Sequence, residues 1–123
     1  TEIVSDVFGY RGTLTLIERD RLHRLEVIEP TTPGTTMDRY FRKFGQSLYM
    51  AFAETSRINL IAERAAASGA GHTIDRPETR AAHLPSDQLW LHPKALGGMM
   101  LGLSRPSMAW AWSGHPERVE PLA

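Results

Sequence analysis

Apolar and polar residues alternate along this chain mostly in short runs with a period of two. Residues 12–19, "GTLTLIER", alternate and are rich in β-branched side chains, which predicts a strand. Asp20 and Arg21 turn the chain into "LHRLEVIEP", where Leu25 and Val27 fall on one face and Arg24, Glu26 and Ile28 on the other. The two runs make a hairpin. "TTPGTT" reads as a loop, and "TMDRYFRKFG" as a short helix stopped by Gly45. Residues 47–54, "SLYMAFAE", predict a further strand, with Tyr49 and Ala51 directed one way and Leu48, Met50 and Phe52 the other. Ser56 is placed to cap a helix running to Ala67, because Ile58, Ile61, Ala62 and Ala65 recur at helical spacing before Gly69. "GHTIDRP" predicts an edge strand, and "DQLWLH" and "GGMMLGLS" a hairpin joined around residues 93–97.

The two hairpins overlay on each other. Leu25 matches Leu101, Val27 matches Leu103 and Pro30 matches Pro106, while Leu14 and Leu16 match Leu89 and Leu91. Any two amphipathic hairpins can be aligned about this well, so the overlay is either a repeat or a consequence of alternation. It sets Glu26 opposite Gly102, a glycine in mid-strand, where a bulge or a close backbone approach is the usual reason.

Composition narrows the function classes. A chain of 123 residues suits one domain, and 41% hydrophobic with 23% charged residues is ordinary for a globular protein. Lys plus Arg and Asp plus Glu number 14 each, so no basic field is available for nucleic acid. The absence of cysteine removes disulfides, thiolate metal sites and cysteine nucleophiles, and fits a cytoplasmic enzyme. No apolar run reaches membrane-spanning length, so no membrane partner is expected.

The order strand, helix, three strands, with "LEVIEP", "SLYMAFAETSRINLIAERAAASG" and "LWLHPKALGGMMLGLS", resembles the vicinal oxygen chelate superfamily. This superfamily comprises glyoxalases, extradiol dioxygenases, methylmalonyl-CoA epimerases and bleomycin or fosfomycin resistance proteins. The epimerase-like members are nearest in pattern. The resemblance implies an α+β fold of paired βαβββ modules over residues 1–106: a partial first module at 1–30, a linker with a short helix at 31–46 and a complete second module at 47–106. Residues 107–123 are expected as a C-terminal tail. The first module would lack its opening strand and helix, to be supplied by an upstream segment or a partner chain, and a homodimer is expected.

In metal-dependent members, His, Glu or Gln side chains point into a shared cavity and hold a divalent cation. Carried onto this chain, the ligand positions fall on Glu26, Tyr49 and Gly102. Only Glu26 is a competent ligand, so the expectation is a small-molecule cavity lined by Arg24, Glu26, Tyr49, Met100 and Gly102, with no cofactor. The alternative is an enzyme, a metal-assisted lyase, epimerase, isomerase or dioxygenase, in which Glu26 binds a divalent metal with residues from the missing part, and Glu26 and Tyr49 do acid and base work.

Each residue also has a plainer reading. Glu26 is either a cavity carboxylate or half of an ion pair with Arg24 or Arg105; a partner is required in both cases. Tyr49 is a hydroxyl donor or a core aromatic. Arg76 and Arg80, in "RPETRAAHLPSD", either reach a phosphate or CoA-like group or belong to an ordinary loop. "SMAWAW" puts Met108, Trp110 and Trp112 on one stripe at strand spacing, as a lid over an apolar ligand or as packing, and "HPERVEPLA" is expected as a loose terminus.

Overall fold

A computed structural model describes residues 1–122, and the chain divides into two compact units. The first contains Thr1–Ser47 with Trp110–Glu117. The second contains Leu48–Ala109 with the residues from Arg118 on.

In the first unit, β1 (Glu2–Ser5), β2 (Tyr10–Leu16) and β3 (Arg24–Pro30) form an antiparallel sheet in the order β1-β2-β3. The register pairs Leu14 with Glu26 and Leu16 with Arg24. Period-two alternation is nearly complete in β2 and β3. Tyr10, Gly12, Leu14, Arg24, Glu26 and Ile28 lie on the less exposed face, and Arg11, Thr13, Leu25, Val27 and Glu29 on the exposed one. Ile3 and Leu14 are buried on the former. On the exposed face Arg11 and Glu29 make a cross-strand ion pair at 2.6 Å, an interaction screened by solvent and worth at most about 1 kcal/mol.

Helix α1 (Thr36–Phe44) begins as predicted and ends at Gly45, whose φ of 68° few other residues adopt. Thr35 caps it by accepting the Asp38 N–H at 3.3 Å. Asp38 is the residue that the helix buries; its carboxylate accepts the Gly34 N–H at 2.8 Å and pairs with Arg42 one turn on. The Gly34 N–H first, then Arg42, hold the Asp38 carboxyl below the usual range.

The second unit is built on β4 (Met50–Glu54), α2 (Ile58–Ser68), β5 (His72–Asp75), β6 (Gln88–Leu91) and β7 (Met100–Ser104), with sheet order β4-β7-β6-β5 and β4 parallel to β7. The core lies on one face of this sheet. Ile58 and Ala62 of α2 pack on Leu89 and Leu103, with Ile61, Leu91 and Leu101 around them. Ile58 and Leu89 are 1% and 0% exposed, each burial contributing about 2 kcal/mol. Alternation then directs Trp90, Met100, Gly102 and Ser104 to the opposite face.

Three predicted details differ. β4 starts at Met50, leaving Tyr49 outside the strand. The N-cap of α2 is Arg57 and not Ser56; Thr55 Oγ1 accepts the Arg57 N–H at 3.0 Å and turns the chain into the helix. "SMAWAW" is not a strand: Met108–Trp112 is a 3₁₀ helix that buries Ala109 and Trp110. The terminus beyond it is tied to the second unit, since Arg105 donates to the Glu120 carbonyl at 3.0 Å and Glu120 N–H donates to Ser107 Oγ at 2.7 Å.

Candidate binding site

On the less exposed face of the first sheet, the cross-strand register gathers a polar cluster. Arg24 and Glu26 are two residues apart on β3, so both project from the same face, and their side chains meet at 3.0 Å with 9% and 25% exposure. Arg24 is held from two further directions: it donates to Ser113 Oγ, and its guanidinium lies 5.4 Å from the centroid of the Trp112 ring. The requirement for a partner at Glu26 is thus met by Arg24. Arg105, the other candidate, pairs instead with Asp87 at 2.8 Å.

Tyr10 is on the same face, at the start of β2. Burial first, then the nearby Glu26 carboxylate, raises its phenol above the ordinary value, against an opposing effect of Arg24. Tyr10 is therefore a protonated hydroxyl near neutral pH, a donor beside a carboxylate and a guanidinium. The strand predicted from sequence starts two residues later and omits it. The signal is present, because Tyr10 continues the Gly12, Leu14 alternation.

The second unit carries a different surface. On the face of its sheet away from α2, Gly102 pairs with Phe52 on one side and Trp90 on the other, and Met100 pairs with Met50. A Cβ at Gly102 would overlap the Phe52 ring and stand 3.0 Å from Met50 Sδ. The space beside Gly102 is thus taken by the aromatic ring of the neighbouring strand. Tyr49, expected beside Gly102 in the cavity, precedes β4 and is one position out of phase with Met50 and Phe52. What the face offers is aromatic, thioether and apolar.

Asp87 joins two arginines in the second unit. Arg80 reaches its carboxylate at 2.6 Å and Arg105 at 2.8 Å, with the three side chains 13%, 9% and 13% exposed for Arg80, Arg105 and Asp87. Burial raises the Asp87 carboxyl, but the two guanidinium groups together outweigh it and leave it below the usual range. Arg80 also donates to the Pro85 carbonyl, and Arg76 to the Leu84 and Ala81 carbonyls and to Ser86. Both loop arginines are thus engaged in their own loop, which is the plainer of their two readings.

The histidines form no ligand set. His92 Nε2 bonds Thr73 Oγ1 at 2.8 Å, His72 Nδ1 bonds the Ala70 carbonyl at 2.8 Å and His115 meets Glu117 at 3.1 Å. Among the described residues no three His, Cys, Asp or Glu side chains are grouped so as to hold a metal ion. Of the positions that the resemblance points to, Gly102 has no ligand atom of its own and the Glu26 carboxylate is tied to Arg24.

No family model matches the chain, and no curated protein matches it in sequence. Solved structures do. A methylmalonyl-CoA epimerase from Mycobacterium tuberculosis superposes with a TM-score of 0.63 at 18% identity, covering 86% of this chain and 69% of that one. The chain has the fold of these epimerases. A Streptomyces coelicolor methylmalonyl-CoA epimerase in complex with 2-nitronate-propionyl-CoA gives 0.64 at 21% identity, covering 85% and 76% of the two chains. A methylmalonyl-CoA epimerase in complex with methylmalonyl-CoA and NH4+ gives 0.63 at 19% identity, covering 85% and 74%. Two helices and two sheets, of three and four strands, agree with a glyoxalase-like α+β fold. No described helix is long and apolar enough to cross a membrane.

Proposed function

We propose that this protein binds a small organic molecule through its glyoxalase-like fold without using a bound divalent cation. The observation that supports the reading is the Phe52 ring packed beside Gly102, the position onto which the resemblance would carry a ligand carboxylate of the metal-dependent members. Glu26, joined to Arg24, offers its remaining lone pairs to a hydroxyl or amide of the ligand, and the Tyr10 phenol offers a proton to a carbonyl or carboxylate. Met50, Phe52 and Trp90, each partly exposed, would supply apolar contact area on their own sheet.

Calorimetric titration with acyl-CoA thioesters, free carboxylic acids and planar aromatic compounds, each with and without EDTA, tests this reading. Saturable binding of one class, unchanged by EDTA and weakened about tenfold by Glu26→Gln, is expected; tenfold corresponds to about 1.4 kcal/mol, the size of one hydrogen bond to a charged group. Binding that disappears with EDTA overturns it.

The structural neighbours, solved with CoA-linked compounds, support a second reading, an epimerase acting on such a compound, in which Glu26 and Tyr49 would take the acid and base roles. Turnover of methylmalonyl-CoA that is unchanged in Glu26→Gln and Tyr49→Phe would exclude those two residues from the chemistry.

A further inference from the structure

The last turn of α2 is made of small residues. The helix turns Ile58, Ala62 and Ala65 towards the sheet, and continuing that face by one turn reaches Ser68, just before the helix ends at Gly69. Leu91 closes β6 beside them. The chain then folds back through the 3₁₀ turn Pro93–Leu96, which Gly97 ends with a φ of 74° and the Gly98 N–H closes on the Pro93 carbonyl at 2.9 Å. Between this turn and the small side chains of the helix lies a cavity of about 270 Å³. Every wall of it belongs to the second unit, and it opens on the α2 side of the sheet, away from the Gly102 face.

The lining has two parts. Ile61, Ala65 and Leu91 are buried or half-buried against the core, whereas Ala95 and Leu96 are exposed, Leu96 at 42%. Folded interiors leave few voids of this size, and apolar surface left open to water is unfavourable. Arg64 is the one charged side chain of the lining, and among the described residues it makes no hydrogen bond or ion pair. The Ser68 hydroxyl already donates to the Ala65 carbonyl at 3.1 Å. Arg64 is thus the side chain left to donate to a ligand, and no carboxylate lines the cavity to compete for it.

We propose that this cavity is a second ligand site, for a short aliphatic carboxylate whose chain lies on Ile61, Ala65 and Leu91 and whose head meets the Arg64 guanidinium. An apolar lining with a single polar group is the usual composition of a small-molecule site. The volume, just under that of drug-sized pockets and close to that of about nine waters, sets the chain at about eight carbons. The guanidinium fork matches a carboxylate through two parallel hydrogen bonds, so an anion is favoured over an alcohol of the same length. The site uses neither Glu26 nor the function proposed above.

Amide chemical-shift titration of the intact protein with sodium butanoate, hexanoate, octanoate and decanoate tests the site. Affinity is expected to rise about two- to fourfold per methylene as far as octanoate and to level off at decanoate, with shifts centred on residues 65–70 and 95–96. Octan-1-ol is expected to bind about fivefold more weakly than octanoate, and Arg64→Gln, at an exposed position, to bring octanoate down to the alcohol. Ala95→Phe, also at an exposed position, fills the cavity from its rim and is expected to lose octanoate with an unchanged far-UV spectrum, while Glu26→Gln binds it as the wild type does. No saturable binding of any of the four acids overturns the proposal. So does octanoate binding that survives Ala95→Phe, that octan-1-ol equals, that Arg64→Gln leaves unchanged or that Glu26→Gln abolishes.

Discussion

Phe52 and Gly102 face each other across the parallel pair β4 and β7, and the ring takes the volume that any side chain at 102 would need. Gly102→Ala is therefore expected to destabilise the second unit by about 1–3 kcal/mol, the usual cost of overpacking. The pair with Phe52→Ala should be clearly non-additive, because removing the ring makes room for the methyl group. Urea unfolding of the two single variants and the double variant measures the coupling; additive losses would mean the ring and the glycine do not share that space.

Asp87 sets a pH dependence. Its carboxyl titrates lower in the folded chain than the unfolded value of about 3.9, so the stabilisation is fully present above that value and is lost as pH falls through the folded one. Asp87→Asn should flatten the acid limb of the stability profile. At neutral pH Asp87→Ala should cost about 3 kcal/mol or more, because Arg80 and Arg105 would be left without their buried counter-charge. Chemical denaturation between neutral and acid pH, wild type against both variants, checks the sign and the size.

Ser104 is fully buried on β7, and its hydroxyl has no hydrogen-bond partner among the described residues. An unpaired buried hydroxyl is a cost that folding has to overcome, so Ser104→Ala is expected to leave stability unchanged or raise it by up to about 1 kcal/mol. A loss of 2 kcal/mol or more in the same denaturation assay would show that the hydroxyl has a structural role.

The strands of the first unit are legible in the sequence because one face of their sheet is buried, which imposes period-two alternation on β2 and β3, whereas β7 is buried on both faces, at Met100 and Ser104 as well as at Leu103, and is read from its apolar run. The same alternation is enough to place Arg24 and Glu26 on one face of β3. The start of β4 is not legible: "SLYM" alternates whether or not its backbone has a ladder partner, so Tyr49 reads as strand. Met108–Trp112 looks like a strand for a similar reason, since two tryptophans at spacing two fit a strand stripe, whereas the chain coils there into a 3₁₀ helix that buries Trp110. The role of Gly102 needs the cross-strand register, because the residue that fills its place lies fifty positions earlier in the chain.

A binding site that works without a resident cation is the central claim, and metal stoichiometry tests it most directly. Purified protein is dialysed against Mg, Mn, Co, Zn or Fe(II), desalted and analysed for metal content by mass spectrometry. The predicted result is well below one equivalent of every metal, with ligand binding unaffected. One tightly held equivalent of any of them, lost in Glu26→Gln, would contradict the claim.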